Sequence, residues 1–378
     1  MKFFRNPHFI LLLLAAAFSM VAVLSGNSYS QDSLPAKKLY FNFNSHYGFI
    51  IAHHQNMDYL IKKHIGAAEL DCILQTNGEK KWQRVYKNPE IGMELFYAGL
   101  GNPQQLGDAM GIAPFINLPL NPGRKFKLYV KICDGLGYVT KPYNRIDNHK
   151  NNINGSRLNA LINLKLNSVF YPGKNLRMEV GVGLTHLSNG AWTAPNLGAN
   201  IATMNIGIGF RKSELKAKKK EEKNKKQPSE FKKYFFTIVA AVGPTESFPP
   251  DGRRFPDYSL SMNVWKITSE KSRFCLGADF FYDLLNLDAA KRDTVFDTSK
   301  KLNNVQAGLH FGYELVIGKI ALPLEMGAYL FSKTTVDGPF YHRIGIRYYV
   351  SKHFIINYTL QTHWATAANI EFGVGYRF

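Results

Sequence analysis

The chain has 378 residues, a formal net charge of +19 and an aromatic content of 13%. After the first 30 residues it has no run of about 18 apolar residues, which excludes a membrane-spanning helix there. Three scattered cysteines, Cys72, Cys133 and Cys275, predict neither a disulfide framework nor a metal site, and no motif predicts a cofactor. Much of the positive charge lies in one segment of an exported chain, which argues against nucleic acid as a partner and favours lipid phosphates.

The N-terminal segment has the pattern of a secretory signal peptide. Lys2 and Arg5 precede an apolar run over residues 9–24, and small and polar residues follow it. This order of charged, apolar and small residues is typical of an export signal. We therefore expect residues 1–30 to be removed, by cleavage near Ser30.

From residue 38 to residue 378 the sequence repeats short segments in which apolar and polar residues alternate. Such alternation predicts strands, and in an exported protein a series of them predicts an all-β, transmembrane antiparallel barrel in the outer membrane of a Gram-negative bacterium. The first eight predicted strands are 38–47, 66–75, 90–98, 111–119, 126–133, 157–170, 176–188 and 200–211. The second eight are 234–243, 257–267, 272–283, 303–316, 319–331, 339–350, 353–364 and 367–378.

The lengths of the connections predict which way the strands run. Outer-membrane barrels join their strands by short periplasmic turns and longer outside loops. The segments 172–175 and 351–352 are tight and follow even-numbered strands, whereas 48–65 and 134–156 are long and follow odd-numbered ones. With the N-terminus in the periplasm, the seventh strand therefore runs outward and ends in the outer leaflet.

Residues 212–233 are dense in Lys and Glu without apolar periodicity, which predicts a solvated periplasmic linker between segments 31–211 and 234–378. Two architectures stay open: one barrel of about sixteen strands, or two barrels of eight. We favour the single barrel, because the inward positions of the second half carry more charge than a narrow lumen easily holds. These positions are Asp279, His310, Glu314, Arg343, Arg347 and Glu371.

The final segment has an apolar face and a face of polar residues and glycine, as a strand between lipid and a polar lumen requires. It resembles the C-terminal strand by which bacterial outer-membrane proteins are recognised for insertion. The apolar face consists of Ile370, Phe372, Val374, Tyr376 and Phe378.

The end of the seventh predicted strand carries the candidate catalytic residues. His186 and Ser188 share the parity of the apolar residues before them, so both are predicted to face lipid. On the next strand Asn200 shares the parity of Ala202 and Met204, which predicts that it lies beside His186 on the same face. A serine needs a base to take its proton, and a histidine base needs a third group to orient it.

The stretch His186-Leu187-Ser188-Asn189-Gly190, followed by Pro195-Asn196 and a polar residue at 200, resembles the active-site region of the PagL-type lipid A deacylases. These are outer-membrane barrels that remove an ester-linked acyl chain from lipid A. The resemblance covers about residues 38–211 and extends to acyloxyacyl hydrolases, with Gly48-Phe49-Ile50-Ile51-Ala52-His53-His54 in the first loop. It implies Ser188 as nucleophile, His186 as general base, and Asn189, Gly190 and Asn196 as candidate oxyanion stabilisers, with lipid A or lipopolysaccharide as partner.

One position departs from the family pattern, because Asn200 stands where the short members have glutamate. An amide can hold an imidazole in one tautomer but cannot stabilise the imidazolium by charge. A carboxylate such as Asp58 in the first loop could stand in for it. A passive channel and an inactive lipid-binding barrel therefore stay open as alternative functions, and the sequence leaves the oligomeric state unknown.

Overall fold

The computed structural model describes residues 37–121, 126–215, 233–247, 249–285, 304–332, 338–364 and 366–378. The predicted signal peptide, 1–30, lies outside the described residues, as does most of the predicted linker, 216–232. No helix within these ranges is long and apolar enough to cross a membrane. The described residues include a 3-10 helix, Gln55–Leu60, and an α-helix, Lys81–Val85.

The architecture consists of sixteen antiparallel strands, β1 to β16. The first eight are Lys37–Ile50, Ile65–Gln75, Glu90–Gly99, Asp108–Pro119, Phe126–Val139, Leu158–Phe170, Leu176–Ser188 and Ala199–Leu215. The second eight are Tyr234–Glu246, Arg254–Ile267, Ser272–Asp283, Val305–Ile317, Ile320–Phe331, Phe340–Tyr349, Phe354–His363 and Thr366–Arg377. The all-β antiparallel class is confirmed, and each predicted strand overlaps one observed strand. β8 continues into the first residues of the predicted linker.

The strands form two closed barrels, β1–β8 and β9–β16. β8 pairs with β1 from Lys37↔Leu215 to Ile50↔Ile201, and β16 closes the second barrel by pairing with β9. The single barrel of about sixteen strands that we favoured is therefore wrong, and the alternative of two eight-stranded barrels is confirmed.

The charges inside the second barrel explain why that expectation failed. They pair with one another across the lumen, so a narrow interior can hold them. The ion pairs join Arg343 to Asp279, Glu325 and Glu371 at 3.4, 2.9 and 2.6 Å, and Arg347 to Glu314 and Glu325 at 3.2 and 2.7 Å. His310 adds hydrogen bonds to Asp279 at 2.6 Å and to Asn263 at 2.7 Å.

The first barrel has a polar lumen of the same kind. Lys131 lies at the centre of it, and its Nζ is 2.7 Å from Glu69, 2.8 Å from Asp71 and 2.8 Å from Glu94. Its side chain and those of its partners are at most 2% exposed. An eight-stranded barrel has an interior just wide enough for side chains to fill. The charged network fills that space.

The two barrels contact each other at both ends. We call the end with the tight turns β10–β11, β12–β13 and β14–β15 the inner end, and the opposite end the outer end. At the inner end the Tyr86 hydroxyl donates to the Val316 carbonyl at 2.8 Å, and Lys81 lies 2.6 Å from Glu270. At the outer end the loop between β7 and β8, residues 189–198, contacts the second barrel.

Candidate active site

His186 and Ser188 lie at the outer end of β7, on its outward face. The preceding outward residues on this strand, from Met178 to Leu184, are 40–54% exposed, whereas Arg177 and Thr185 on the inward face are at most 2% exposed. His186 is half-buried and Ser188 is 7% exposed, because the 189–198 loop covers the end of the strand. The pair thus lies outside the barrel wall, at the top of an apolar surface.

Asn200 lies directly beside His186. The two residues are register partners of β7 and β8, and the Asn200 Oδ1 atom accepts a hydrogen bond from His186 Nδ1 at 2.6 Å. A proton on Nδ1 leaves Nε2 with a lone pair. The asparagine therefore holds the imidazole in the tautomer that a general base needs.

His53, from the loop after β1, fixes the asparagine in turn. Its Nε2 atom donates to the Leu197 carbonyl at 3.0 Å, which leaves Nδ1 to accept from Asn200 Nδ2 at 3.2 Å. Nδ1 also lies 3.3 Å from the Ile51 carbonyl, which could compete only if that nitrogen carried the proton. The Leu197 carbonyl thus fixes the proton of His53 on Nε2. His53 in turn orients the Asn200 amide so that its oxygen faces His186.

Two donors converge on the Ser188 Oγ atom. The Gly190 amide donates to it at 3.1 Å, and Asn196 Nδ2 donates to it at 2.9 Å. The Asn189 amide instead donates to Asn196 Oδ1 at 3.1 Å, which turns the amide nitrogen of Asn196 toward the serine. Of the three predicted oxyanion residues, Gly190 and Asn196 thus face Ser188, and Asn189 orients Asn196.

Two glycines shape the loop. Gly190 has φ +59° and Gly198 has φ +78°, which are left-handed conformations that favour glycine. A Cβ atom on Gly198 would lie 2.9 Å from His186 Cε1 and 3.4 Å from Ser188 Cβ, so both side chains approach the same point. Among the described hydrogen bonds none joins His186 to Ser188, and apo sites often tighten only when substrate binds.

Asp58 does not stand in for the missing glutamate. It lies exposed in the 3-10 helix, while the Nδ1 atom of His186 is bonded to Asn200. The contribution of His53 was missed in the sequence, although the first-loop motif contains it.

Two buried groups within the described residues have metal-ligand chemistry, Glu69-Asp71-Glu94 and Cys275-His310-Glu325. Lys131 contacts all three carboxylates of the first group, and Arg347 contacts Glu325 of the second. These side-chain cations already neutralise the carboxylates of both groups.

The fold and the site define a β-barrel protein with a serine site on its outward surface. Residues 67–209 match the family described as lipid A 3-O-deacylase (PagL), and residues 234–378 match the family described as acyloxyacyl hydrolase, C-terminal domain. The recognition from the sequence is confirmed: the first barrel matches the PagL-type deacylase family, and the second barrel matches the C-terminal domain of the acyloxyacyl hydrolases.

Two further comparisons add little. A search of curated proteins gives no match. Similar solved structures include a triple mutant of the Rhodopseudomonas blastica porin, with 8% identity over 91% of this chain and 99% of that chain and a TM-score of 0.17. The Acinetobacter baumannii outer membrane protein Omp33 has 7% identity over 90% of this chain and 99% of that chain and a TM-score of 0.19. These likenesses are too distant to bear on the site.

Proposed function

We propose that the protein is an outer-membrane esterase that removes an ester-linked acyl chain from lipid A, with Ser188 as its nucleophile. The observation that carries this proposal is that two hydrogen-bond donors point at the Oγ atom of one outward serine, with a histidine held by Asn200 two residues before it on the same face of β7. The matched family is described by deacylation at the 3-O position, which makes that ester the first to examine.

In this mechanism the Ser188 hydroxyl attacks the ester carbonyl while His186 Nε2 takes its proton. The Gly190 amide and Asn196 Nδ2 stabilise the negative oxygen of the tetrahedral intermediate. Both already lie beside Ser188 Oγ, which in the intermediate is bonded to the carbon that carries this oxygen. His186 then gives the proton to the sugar oxygen as its bond to the acyl carbon breaks, and the sugar leaves with a free hydroxyl. Water hydrolyses the acyl-enzyme by the same route, which releases a fatty acid and regenerates the serine.

The surface below the site suits a substrate that lies in a membrane. The outward residues of β6 to β8 form a broad apolar face on which acyl chains can pack. Its exposed members include Leu164, Leu166, Val180, Val182, Met204 and Ile206, at 42–67% exposure. An ester in the outer leaflet could reach Ser188 sideways, without leaving the lipid.

The filled lumens argue against the passive channel. The charged side chains at the centre of each barrel are nearly fully buried and paired, which leaves no polar passage through that level of the described residues. The outward cluster of Ser188, His186 and Asn200 has no role in a channel. An esterase needs a nucleophile, a base and a group that orients the base.

The test is the mass spectrum of lipid A from cells that express the protein. Wild type is expected to remove one acyl chain, and Ser188→Ala and His186→Ala are expected to leave lipid A intact. Ser168→Ala is the matched control, because Ser168 also lies on the outward face of the first barrel but pairs in register with Val180. The proposal fails if wild type leaves lipid A unchanged or if Ser188→Ala still deacylates it.

A further inference from the structure

The loop that carries the oxyanion donors contacts the second barrel as well as the first. Glu246, at the end of β9, accepts a hydrogen bond from the Ala194 amide through Oε2 at 2.8 Å. Its own amide donates to the Ala191 carbonyl at 3.2 Å. Glu246 is only 7% exposed, and nearby Arg254 Nη2 donates to Thr193 Oγ1 at 3.1 Å.

The same loop packs on the apolar outward face of the second barrel. A Cβ atom added to Gly190 would lie 2.2 Å from Ile370 Cγ1 and 3.2 Å from Leu360 Cδ1. The glycine whose amide faces Ser188 is therefore pressed against strands β15 and β16 on its other side.

We propose that Glu246 is a positioning residue, through which the second barrel holds the 189–198 loop in its catalytic conformation. This inference rests on the proposed function. The second barrel is then part of the enzyme, since the Glu246 carboxylate and the apolar outward face of β15 and β16 fix the loop backbone between Gly190 and Asn196. The first barrel alone would carry the nucleophile and base but would hold the oxyanion donors less firmly.

The physical reason lies in the two points of attachment. Glu246 binds the Ala191 carbonyl through its own amide and the Ala194 amide through its carboxylate, so it spans the turn that places Asn196. Hydrogen bonds to an ionised carboxylate are about twice as strong as neutral ones. Without this attachment the loop gains backbone freedom, and a displacement of about 1 Å in a catalytic group can cost about 100-fold in rate.

The experiment compares three variants of the full-length protein in detergent micelles. Glu246→Leu removes the acceptor, and Glu246→Gln keeps an oxygen that can accept from Ala194. Glu270→Leu is the matched control, because Glu270 joins the barrels through Lys81 at the inner end, far from the loop. Two readouts are needed: steady-state hydrolysis of purified lipid A, and hydrogen exchange of the loop amides.

We expect Glu246→Leu to lower kcat about 10- to 100-fold with little change in KM, and to speed exchange across the loop. Glu246→Gln should recover part of both, because it keeps an acceptor without the charge, and Glu270→Leu should match wild type in both. If Glu246→Leu does not fold, Glu246→Asp replaces it: the carboxylate withdraws by one methylene, and kcat should fall while the charge is kept.

The inference is overturned if Glu246→Leu, or Glu246→Asp in its place, matches wild type in loop exchange. It is equally overturned if Glu270→Leu loses as much activity as the Glu246 variants, since that would indicate general docking of the barrels. A wild-type protein without deacylase activity would defeat the proposed function instead, and loop exchange would still decide whether Glu246 positions the loop.

Discussion

Replacing Asn200 by aspartate should make the enzyme faster. The substitution is isosteric, so the oxygen that lies 2.6 Å from His186 Nδ1 stays in place and gains a negative charge. In the proposed mechanism an imidazolium forms when Ser188 gives up its proton, and a carboxylate stabilises this cation where an amide cannot. The rate change therefore measures the charge on His186 in the transition state.

The expected size follows from the geometry. Two unit charges about 4 Å apart attract by about 4 kcal/mol at an effective dielectric constant of about 20. His186 and Asn200 are both half-buried, so solvent screens part of this attraction, and aspartate also loses the bond that Asn200 Nδ2 donates to His53. A net gain of about 1–3 kcal/mol remains. Because each 1.36 kcal/mol changes a rate about tenfold, kcat should rise about 5- to 150-fold.

The assay is the initial rate of fatty acid release from lipid A at saturating substrate. Asn200→Ala, which removes the orienting oxygen, should be slower than wild type. A folded Asn200→Asp variant that reacts no faster than wild type would refute the view that His186 becomes charged in the rate-limiting step.

Two further substitutions test how the site is held. Gly198→Ala places a methyl group 2.9 Å from the His186 ring at φ +78°, so kcat should fall about 100-fold and unfolding should become easier by about 1–2 kcal/mol, as lipid A turnover and thermal denaturation would measure. Unchanged turnover would show that the ring has room to move. His53→Leu removes the acceptor of the Asn200 amide, a bond worth about 1 kcal/mol, so kcat should fall about fivefold while exposed His54→Leu stays at the wild-type rate. Equal losses in the two variants would assign the effect to the loop as a whole.

The strands could be predicted from the sequence because a barrel has different surroundings on its two faces. Apolar residues outside and polar residues inside repeat with a period of two, and that pattern marks every strand from β1 to β16. The outward placement of His186, Ser188 and Asn200 followed from the same parity. These three residues also lie within one hairpin, so their proximity depends on local register alone.

The number of barrels could not be read from the sequence, because it depends on which distant strands pair to close each sheet, and the preference for one barrel depended on how distant charges pair. Arg343 and Asp279 are 64 positions apart, and nothing local indicates that one neutralises the other. The same limit applies at the site. His53 lies 147 positions from Asn200, and Glu246 lies 52 positions from Ala194 on a separate barrel, so both contacts appear only in three dimensions.

The most direct test of the outward serine is to trap it. The purified protein in detergent would be treated with a long-chain alkyl fluorophosphonate, which transfers its phosphonyl group to an activated serine with loss of fluoride. Peptide mass spectrometry is expected to find the added mass on Ser188, and His186→Ala should prevent it. A label on another serine, or a wild-type protein that stays unmodified, would contradict the assignment of Ser188 as the nucleophile.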